Sequence, residues 1–181
     1  MNIKQENTWG ELGSALGKGL LAGLAGTAAI TLSQMIEMSI TKRKPSDAPA
    51  KVASEITDVQ PTSEETKAKV NQEIHWAYGT SWGVARGLIG LTGLKGLPAS
   101  LLHFGAIWGT ALVMLPKYDA APPVTEEPPK TVAIDALHHA VYALAAGLVY
   151  DALDAGNKHQ RKFDHLIEQL HLKGILSKLK P

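Results

Sequence analysis

Two long stretches of this sequence contain no Asp, Glu, Lys or Arg, and they limit what the chain can fold into. The first is Gly19 to Ile36, which has 18 residues between Lys18 and Glu37, and the second is Gly96 to Pro116, which has 21. A helix needs about 20 apolar residues, and at least about 17, to cross the hydrocarbon core of a bilayer. Both stretches therefore predict membrane-spanning helices.

Two further stretches are weaker. Ile74 to Leu94 is interrupted by Arg86, and Ala136 to Tyr150 has only 15 residues between Asp135 and Asp151. Taken alone, either suits a buried helix of a soluble bundle. Beside the first two they are expected to be inner helices, with charged ends that reach the headgroups or each other. The sequence thus predicts an all-α fold, a four-helix transmembrane bundle.

The composition is compatible with this fold. The mean hydropathy of −0.03 resembles that of a soluble protein, but the charged residues cluster at the N-terminus, in 42–73, in 117–130 and in the tail. Glycine and alanine, which are common in packed membrane helices, account for the low average. A net charge of +1 gives no case for nucleic-acid binding. The absence of cysteine excludes disulfides and cysteine-ligated metals.

The predicted organisation has three parts. Residues 1–14 form a polar N-terminal segment, 15–155 form the membrane domain, and 156–181 form a basic amphipathic tail. In the tail, the apolar residues between Lys158 and Lys180 recur near one helical face. Such a helix would lie on an anionic membrane surface, or alternatively pack on the loops.

Polar loops at 41–72 and 117–130 connect the predicted helices. Residues 46–57 suit a short surface helix, and Thr62 with Glu65 three positions later forms a capping box that starts another helix. The proline-rich segment 119–130 cannot be helical, so the fourth helix is expected to begin near Lys130. With four spans, the termini share one side with the middle connection. A slight excess of Lys and Arg on that side predicts cytoplasmic termini.

Small residues recur four positions apart in every stretch. In lipid, such motifs let helix backbones approach closely, and that approach drives association. They predict one compact bundle; an alternative is that alanine-rich helices simply contain many small residues. The positions expected to pack helices are Gly79, Gly83, Gly87, Gly105, Gly109 and Gly147, with Gly19, Gly23 and Ala143.

The second and fourth stretches resemble each other. His75, Tyr78 and Gly83 match His139, Tyr142 and Gly147 at a constant offset, and Gly-Thr-Ala occurs at 26–28 and again at 109–111. This pattern suggests two helix-hairpin repeats related by a pseudo-twofold axis. Chance matches in a Gly- and Ala-rich chain are the alternative.

Several ionisable groups fall within these stretches, where each costs at least about 2.5 kcal/mol at mid-bilayer and so usually has a partner inside the bundle. Asp135, His139 and Tyr142 share one helical face, and His75 lies over the glycines of its helix. His103 lies almost opposite Gly105 and is expected to point away from the same site. The candidate buried polar, ion or cofactor site comprises Glu73, His75, Tyr78, Arg86, Asp135, His138, His139 and Tyr142.

These residues allow three interpretations. In the structural one, Asp135 orients His139, and Arg86 pairs with Asp151 or a headgroup. In the second, His75, Asp135 and His139, with Glu73, form a proton relay or coordinate a cation. In the third, His75 and His139 ligate one haem or metal ion from facing helices. Because no phosphate loop, nucleotide fingerprint or nucleophile elbow is present, an enzyme is not expected.

The strings GLLAGLAGTAAITLSQMIEM, EIHWAYGTSWGVARGLIG, LLHFGAIWGTALVMLP and AIDALHHAVYALAAGLVYDAL resemble small, uncharacterised bacterial inner-membrane proteins of the YagU kind. The resemblance covers about residues 15–155 and implies a bacterial, multi-pass helical membrane protein. It implies no catalytic residues.

The leading functional interpretation is a non-enzymatic membrane protein that is structural or acts through a partner, without a cofactor. Its expected partners are the lipid bilayer and either a second copy or another membrane protein.

Overall fold

The computed structural model describes residues 3–59 and 62–178, and it describes side chains in 8–59 and 62–156. These residues form helices and connecting turns with no strand, which confirms the predicted all-α class. The five helices are α1 (Ile3–Thr41), α2 (Ala48–Thr57), α3 (Glu64–Leu91), α4 (Gly96–Lys117) and α5 (Pro129–Lys178).

Three segments of the described chain are long and apolar enough to cross a membrane: Thr8–Thr41, Gly96–Lys117 and Pro129–Gly156. The first and third predicted stretches are confirmed as such helices, and the shorter fourth stretch joins them. The helix that contains the second stretch, α3, is not among the three. Its two ends differ in character, because polar residues fill the first turns and Arg86 interrupts the apolar half.

The helix boundaries follow from local signals. Ser63 caps α3, and its Oγ accepts a hydrogen bond from the Thr66 amide at 3.1 Å. The predicted cap at Thr62 is therefore wrong by one residue, because Ser63 has the extended backbone that an N-cap requires. The short helix expected within 46–57 is α2. The proline-rich loop ends where α5 begins at Pro129, one residue before the predicted start.

The long helices run antiparallel in chain order, so their charged flanks gather at two ends. At one end, which we call the Lys18 end, Lys18 of α1 lies 2.9 Å from Asp154 of α5. At the other, which we call the Glu37 end, Glu37 of α1 approaches His138 of α5. The 19 helical steps from Lys18 to Glu37 span about 28 Å, close to the thickness of a hydrocarbon core.

Helices α1 and α3 touch backbone to backbone. A Cβ placed on Gly83 would overlap the Gly19 carbonyl oxygen and lie 2.7 Å from the Cα of Gly23. A Cβ on Gly87 would lie 2.5 Å from the Ala15 carbonyl oxygen. Since any side chain at these positions would separate the helices, glycine is required for this approach.

Helix α5 packs against the same pair. Gly26 of α1 leaves room for the Tyr142 ring, and the Tyr142 hydroxyl donates to the Gly79 carbonyl oxygen at 2.6 Å. Two turns later, Gly90 leaves room for Tyr150. The core therefore forms where tyrosines of α5 fill space that glycines leave open; it comprises Ala22, Ile30, Ile107, Tyr142, Ala146 and Tyr150.

The small residues of α4 behave differently. Gly147 of α5 lies against Ser100 of α4, but a Cβ on Gly105 or Gly109 would contact nothing within 4 Å. These two glycines, expected to pack helices, do not pack against any described part of the chain. The inward face of α4 instead carries Ala99, Ser100, His103 and Ile107.

The matched residues of the proposed repeat lie in different environments. Tyr142 is 3% exposed, whereas Tyr78 is 40% exposed. Thr27 is fully buried against Gly79, whereas Gly109, beside Thr110, has open space around it. The sequence similarity therefore does not extend to equivalent packing of these side chains.

Helix α2 docks on the polar start of α3. Asn71 accepts a hydrogen bond from the Ala50 amide and donates one to the Ser46 carbonyl oxygen, and Lys67 lies 2.7 Å from Asp47. The alternating small residues Ala48, Ala50, Val52 and Ser54 are buried. At the other end of the chain, α5 continues through the predicted tail as far as Lys178. The apolar face predicted for residues 158–180 concerns side chains outside the described part.

Candidate functional site

The eight predicted site residues do not form one cluster. They separate into a buried ion pair near the Lys18 end, a middle layer around Tyr142, and three groups nearer the Glu37 end. Glu73 and Tyr78 belong to none of these. The Glu73 side chain is 66% exposed and lies 4.0 Å from Lys69, while Tyr78 packs edge-on against Trp82 at the surface.

Arg86 is the most deeply buried charge in the described structure. It is 0% exposed, its Nη2 donates to Asp151 Oδ1 at 2.6 Å, and its guanidinium lies 4.4 Å from the centre of the Tyr150 ring. Asp151 Oδ2 also accepts a hydrogen bond from the Gly96 amide at the start of α4. Asp151 thus links three helices, and the pairing with Arg86 is the one that the structural interpretation anticipated.

A second charged group extends this cluster outward. Asp154 accepts hydrogen bonds from Lys18 at 2.9 Å and from Lys95 at 3.3 Å. Lys18 is 9% exposed and Lys95 is half-exposed. From sequence alone, these residues are only charges that flank the predicted helices. Their positions just outside the uncharged stretches were the available signal, since antiparallel spans bring such flanks together.

The middle layer contains His103, which was predicted from sequence to point away from the site. His103 is fully buried, its Nε2 donates to the Trp82 carbonyl oxygen at 3.0 Å, and its ring lies 5.7 Å from that of Tyr142. The expectation that His103 lies opposite Gly105 is consistent with the exposure of Gly105. The error was the assumption that Gly105 faces the bundle interior.

His75 joins α3 to α1. Its Nε2 lies 3.0 Å from Thr31 Oγ1, and that hydroxyl donates to the Thr27 carbonyl oxygen at 2.7 Å. Because the Thr31 hydroxyl proton is used in this bond, the His75 nitrogen acts as the donor. His75 therefore links α3 to α1 through Thr31.

At the Glu37 end, His138 lies between α5 and α1. Its Nδ1 is 2.8 Å from Ser33 Oγ, and its Nε2 is 4.0 Å from Glu37 Oε2. The Glu37 carboxylate also accepts hydrogen bonds from Thr41 and Arg43. The buried His138 imidazole, the Glu37 carboxylate and the Arg43 guanidinium therefore form one polar group that links α5 to the end of α1.

Asp135 and His139 form a separate group on α5. His139 Nδ1 donates to the Asp135 carbonyl oxygen at 2.9 Å and lies 3.4 Å from Asp135 Oδ1. The Asp135 side chain accepts a hydrogen bond from Trp108 Nε1 of α4 at 2.9 Å. Asp135 therefore orients His139, and this group connects α4 to α5.

Five buried side-chain nitrogen atoms in the described part of the chain lack a hydrogen-bond partner: Trp82 Nε1, Arg86 Nε and Nη1, His103 Nδ1 and His138 Nε2. An unsatisfied buried donor or acceptor costs about 1–3 kcal/mol. Among the described residues, no three His, Asp or Glu side chains converge in a way that could hold a metal ion.

The comparisons with known proteins are negative. No protein-family model matches the sequence, no curated protein matches it significantly, and no solved structure matches the fold.

Proposed function

We propose that this chain is a four-span integral membrane protein without enzymatic activity, and that its interior polar residues hold the helices in one arrangement. One observation carries the proposal: large apolar side chains point outward from the long helices while polar ones point inward. Met35, Val113 and Leu148 are 58%, 70% and 73% exposed, whereas Arg86 and His103 are 0% exposed. In water this surface would be a large apolar patch, but in lipid it is the expected exterior.

The assignment of α3 as the fourth span is supported by where its polar groups lie. Arg86 is completely enclosed by protein, so its charge does not contact lipid. His75 bonds to α1, and Glu73 lies beyond the apolar half of the helix. The 28 residues of α3 reach about 42 Å, which is enough for one crossing with a polar turn outside.

A structural role for the interior polar groups is supported by their bonds, most of which join two helices. A hydrogen bond between membrane helices contributes about 0.6 kcal/mol on average, and up to about 2. These bonds fix the register of neighbouring helices. The proposed partners are the lipid bilayer and either a second copy or another membrane protein. The resemblance to YagU-like proteins supports placement in a bacterial inner membrane.

The experiment combines alkaline carbonate extraction of membranes with spin labels on single cysteines, since the chain contains no native cysteine. Nitroxides are placed at Ser81 on the exposed face of α3, at Leu24 on α1, and at Thr125 in the proline-rich loop. Collision rates with oxygen and with a water-soluble nickel chelate are then measured in lipid vesicles.

Retention after the carbonate wash is expected, together with oxygen-accessible and nickel-inaccessible labels at Ser81 and Leu24. Thr125 serves as the water-exposed control. A Ser81 label as accessible to nickel as Thr125 would exclude α3 as a span and leave three crossings. Release of the protein by carbonate would overturn the membrane assignment altogether.

A second candidate, the proton or ion site, is favoured by the unpartnered nitrogens of Arg86, His103 and His138. Arg86 lies near the Lys18 end, His103 in the middle layer and His138 near the Glu37 end, and they do not contact one another through hydrogen bonds in the described structure. Proteoliposomes with a trapped pH-sensitive dye test it. Proton flux that is present in the native protein and lost in His103→Ala and His138→Ala, at equal protein content, would favour this function. A visible absorption band of the purified protein would instead favour the haem form.

A further inference from the structure

The Lys and Arg residues are almost evenly divided between the two ends of the bundle. Of the 18, nine belong to segments 1–18, 92–95 and 158–180, which share the Lys18 end in a four-span arrangement. Eight belong to segments 42–69 and 117–130 at the Glu37 end. The remaining one, Arg86, is buried inside the protein.

The small difference in the number of Lys and Arg residues between the two ends changes sign when only residues close to a span are counted. Orientation depends on Lys and Arg in short loops and within about 15–20 residues of a span. The last three lysines of the tail lie more than 20 residues beyond Asp151, so excluding them leaves six charges at the Lys18 end against eight. The excess that favoured cytoplasmic termini therefore becomes an excess for the opposite orientation.

Within the described residues, loop length does not favour translocation of either end across the membrane. The connection from α1 to α3 is residues 42–63, that from α3 to α4 is 92–95, and that from α4 to α5 is 118–128. All are far shorter than about 60 residues, the length up to which loops obey the charge rule. Acidic residues contribute little to orientation, so the ion pairs at each end do not restore a bias.

We propose that the chain inserts into the membrane in both orientations, with the Lys18 end cytoplasmic in one population and periplasmic in the other. This inference rests on the proposed four-span arrangement. It replaces the single orientation with cytoplasmic termini that the sequence alone suggested.

The test uses single cysteines at Glu55, exposed on α2 at the Glu37 end, and at Thr92, exposed at the Lys18 end. Intact cells are treated with a membrane-impermeant maleimide, and total reactive cysteine is measured after permeabilisation. We expect about half of each variant to be labelled from outside, because an insertion bias near zero populates both orientations. Labelling of one site above about nine-tenths and of the other below about one-tenth would overturn the proposal.

Charge variants provide matched controls. Lys42→Asn with Lys44→Gln removes two charges at the Glu37 end, and asparagine tolerates the positive φ of 61° at position 42. Lys4→Gln with Lys95→Gln removes two at the Lys18 end. The first pair should raise the fraction of the Glu55 cysteine labelled from outside and lower that of the Thr92 cysteine, and the second pair should do the reverse. Unchanged labelling in both pairs would also overturn the proposal.

The same data separate failure of this inference from failure of the four-span arrangement. With four spans, the two cysteines lie on opposite sides in every molecule, so the charge variants move their accessibilities in opposite directions. With three spans that omit α3, the two cysteines share a side and their accessibilities move together.

Discussion

Gly83→Ala tests the α1–α3 interface directly. A Cβ at this position would overlap the Gly19 carbonyl oxygen and lie 2.7 Å from the Gly23 Cα, whereas ordinary van der Waals contact begins at 3.4 Å. Both neighbours are backbone atoms, so no side-chain rotation can relieve the overlap. The methyl group must push α1 and α3 apart, and the other close glycine contacts along the same line, such as Gly87 with Ala15, must loosen with it.

The expected cost combines two opposing effects. Overpacking a tight contact by one methyl group costs about 1–3 kcal/mol, and alanine recovers up to about 1 kcal/mol of helix propensity relative to glycine. Because every near neighbour of Gly83 is a backbone atom of α1, we expect the larger overpacking cost and a net loss of about 2 kcal/mol. Gly105→Ala is the matched control, since a Cβ there would meet nothing within 4 Å. It should stabilise the protein by up to about 1 kcal/mol.

The free energy of unfolding is measured in mixed micelles by titration from a mild detergent into sodium dodecyl sulfate, with helix content followed by circular dichroism. The two variants should differ by about 3 kcal/mol. If their free energies of unfolding agreed within about 0.5 kcal/mol, the close approach of α1 and α3 at Gly83 would be refuted.

Three further predictions concern the polar contacts. In the same titration, Asp151→Asn should cost about 3–5 kcal/mol, because it leaves the fully buried Arg86 cation without its ion-pair partner. Arg86→Met should cost only about 1–3 kcal/mol, because the Asp151 side chain is 28% exposed and keeps its bond from the Gly96 amide. The reverse order of the two costs would contradict the ion-pair geometry. His75→Ala and His139→Ala should each cost about 1 kcal/mol and leave membrane abundance normal, and loss of a specific activity at normal abundance would contradict a structural role. The hydrogen bond from Lys67 lowers the pKa of Asp47, and the bond to Asp47 raises the pKa of Lys67. Docking of α2 should therefore be stabilised by this pair above the ordinary Asp47 pKa of 3.8 and lose that contribution as the pH falls through the lowered pKa. Amide hydrogen exchange measures this effect: at low pH, α2 should exchange faster relative to α4. Asp47→Asn should abolish this pH dependence. The increase in exchange rate should be small, because both side chains are partly exposed.

The positions of the long apolar segments and the two charged ends were determined by the sequence itself. The uncharged stretches of α1 and α4, the proline-rich loop before α5 and the flanking charges are local features, and local features decide where a helix can begin, end and enter lipid. For Arg86 the sequence left two partners open, Asp151 or a lipid headgroup, and the structure pairs it with Asp151.

The tertiary structure decided which faces are buried. All four stretches carry similar small-residue motifs, yet those of α1 and α3 meet each other, whereas Gly105 and Gly109 face outward and His103 faces inward. In a soluble helix the polar face marks the exterior, but a lipid-facing surface is as apolar as the interior, so the sequence pattern does not identify the inward face. That choice depends on whether surfaces far apart in the chain fit together, as the Tyr142 ring fits the space left at Gly26, and only the assembled bundle contains this information.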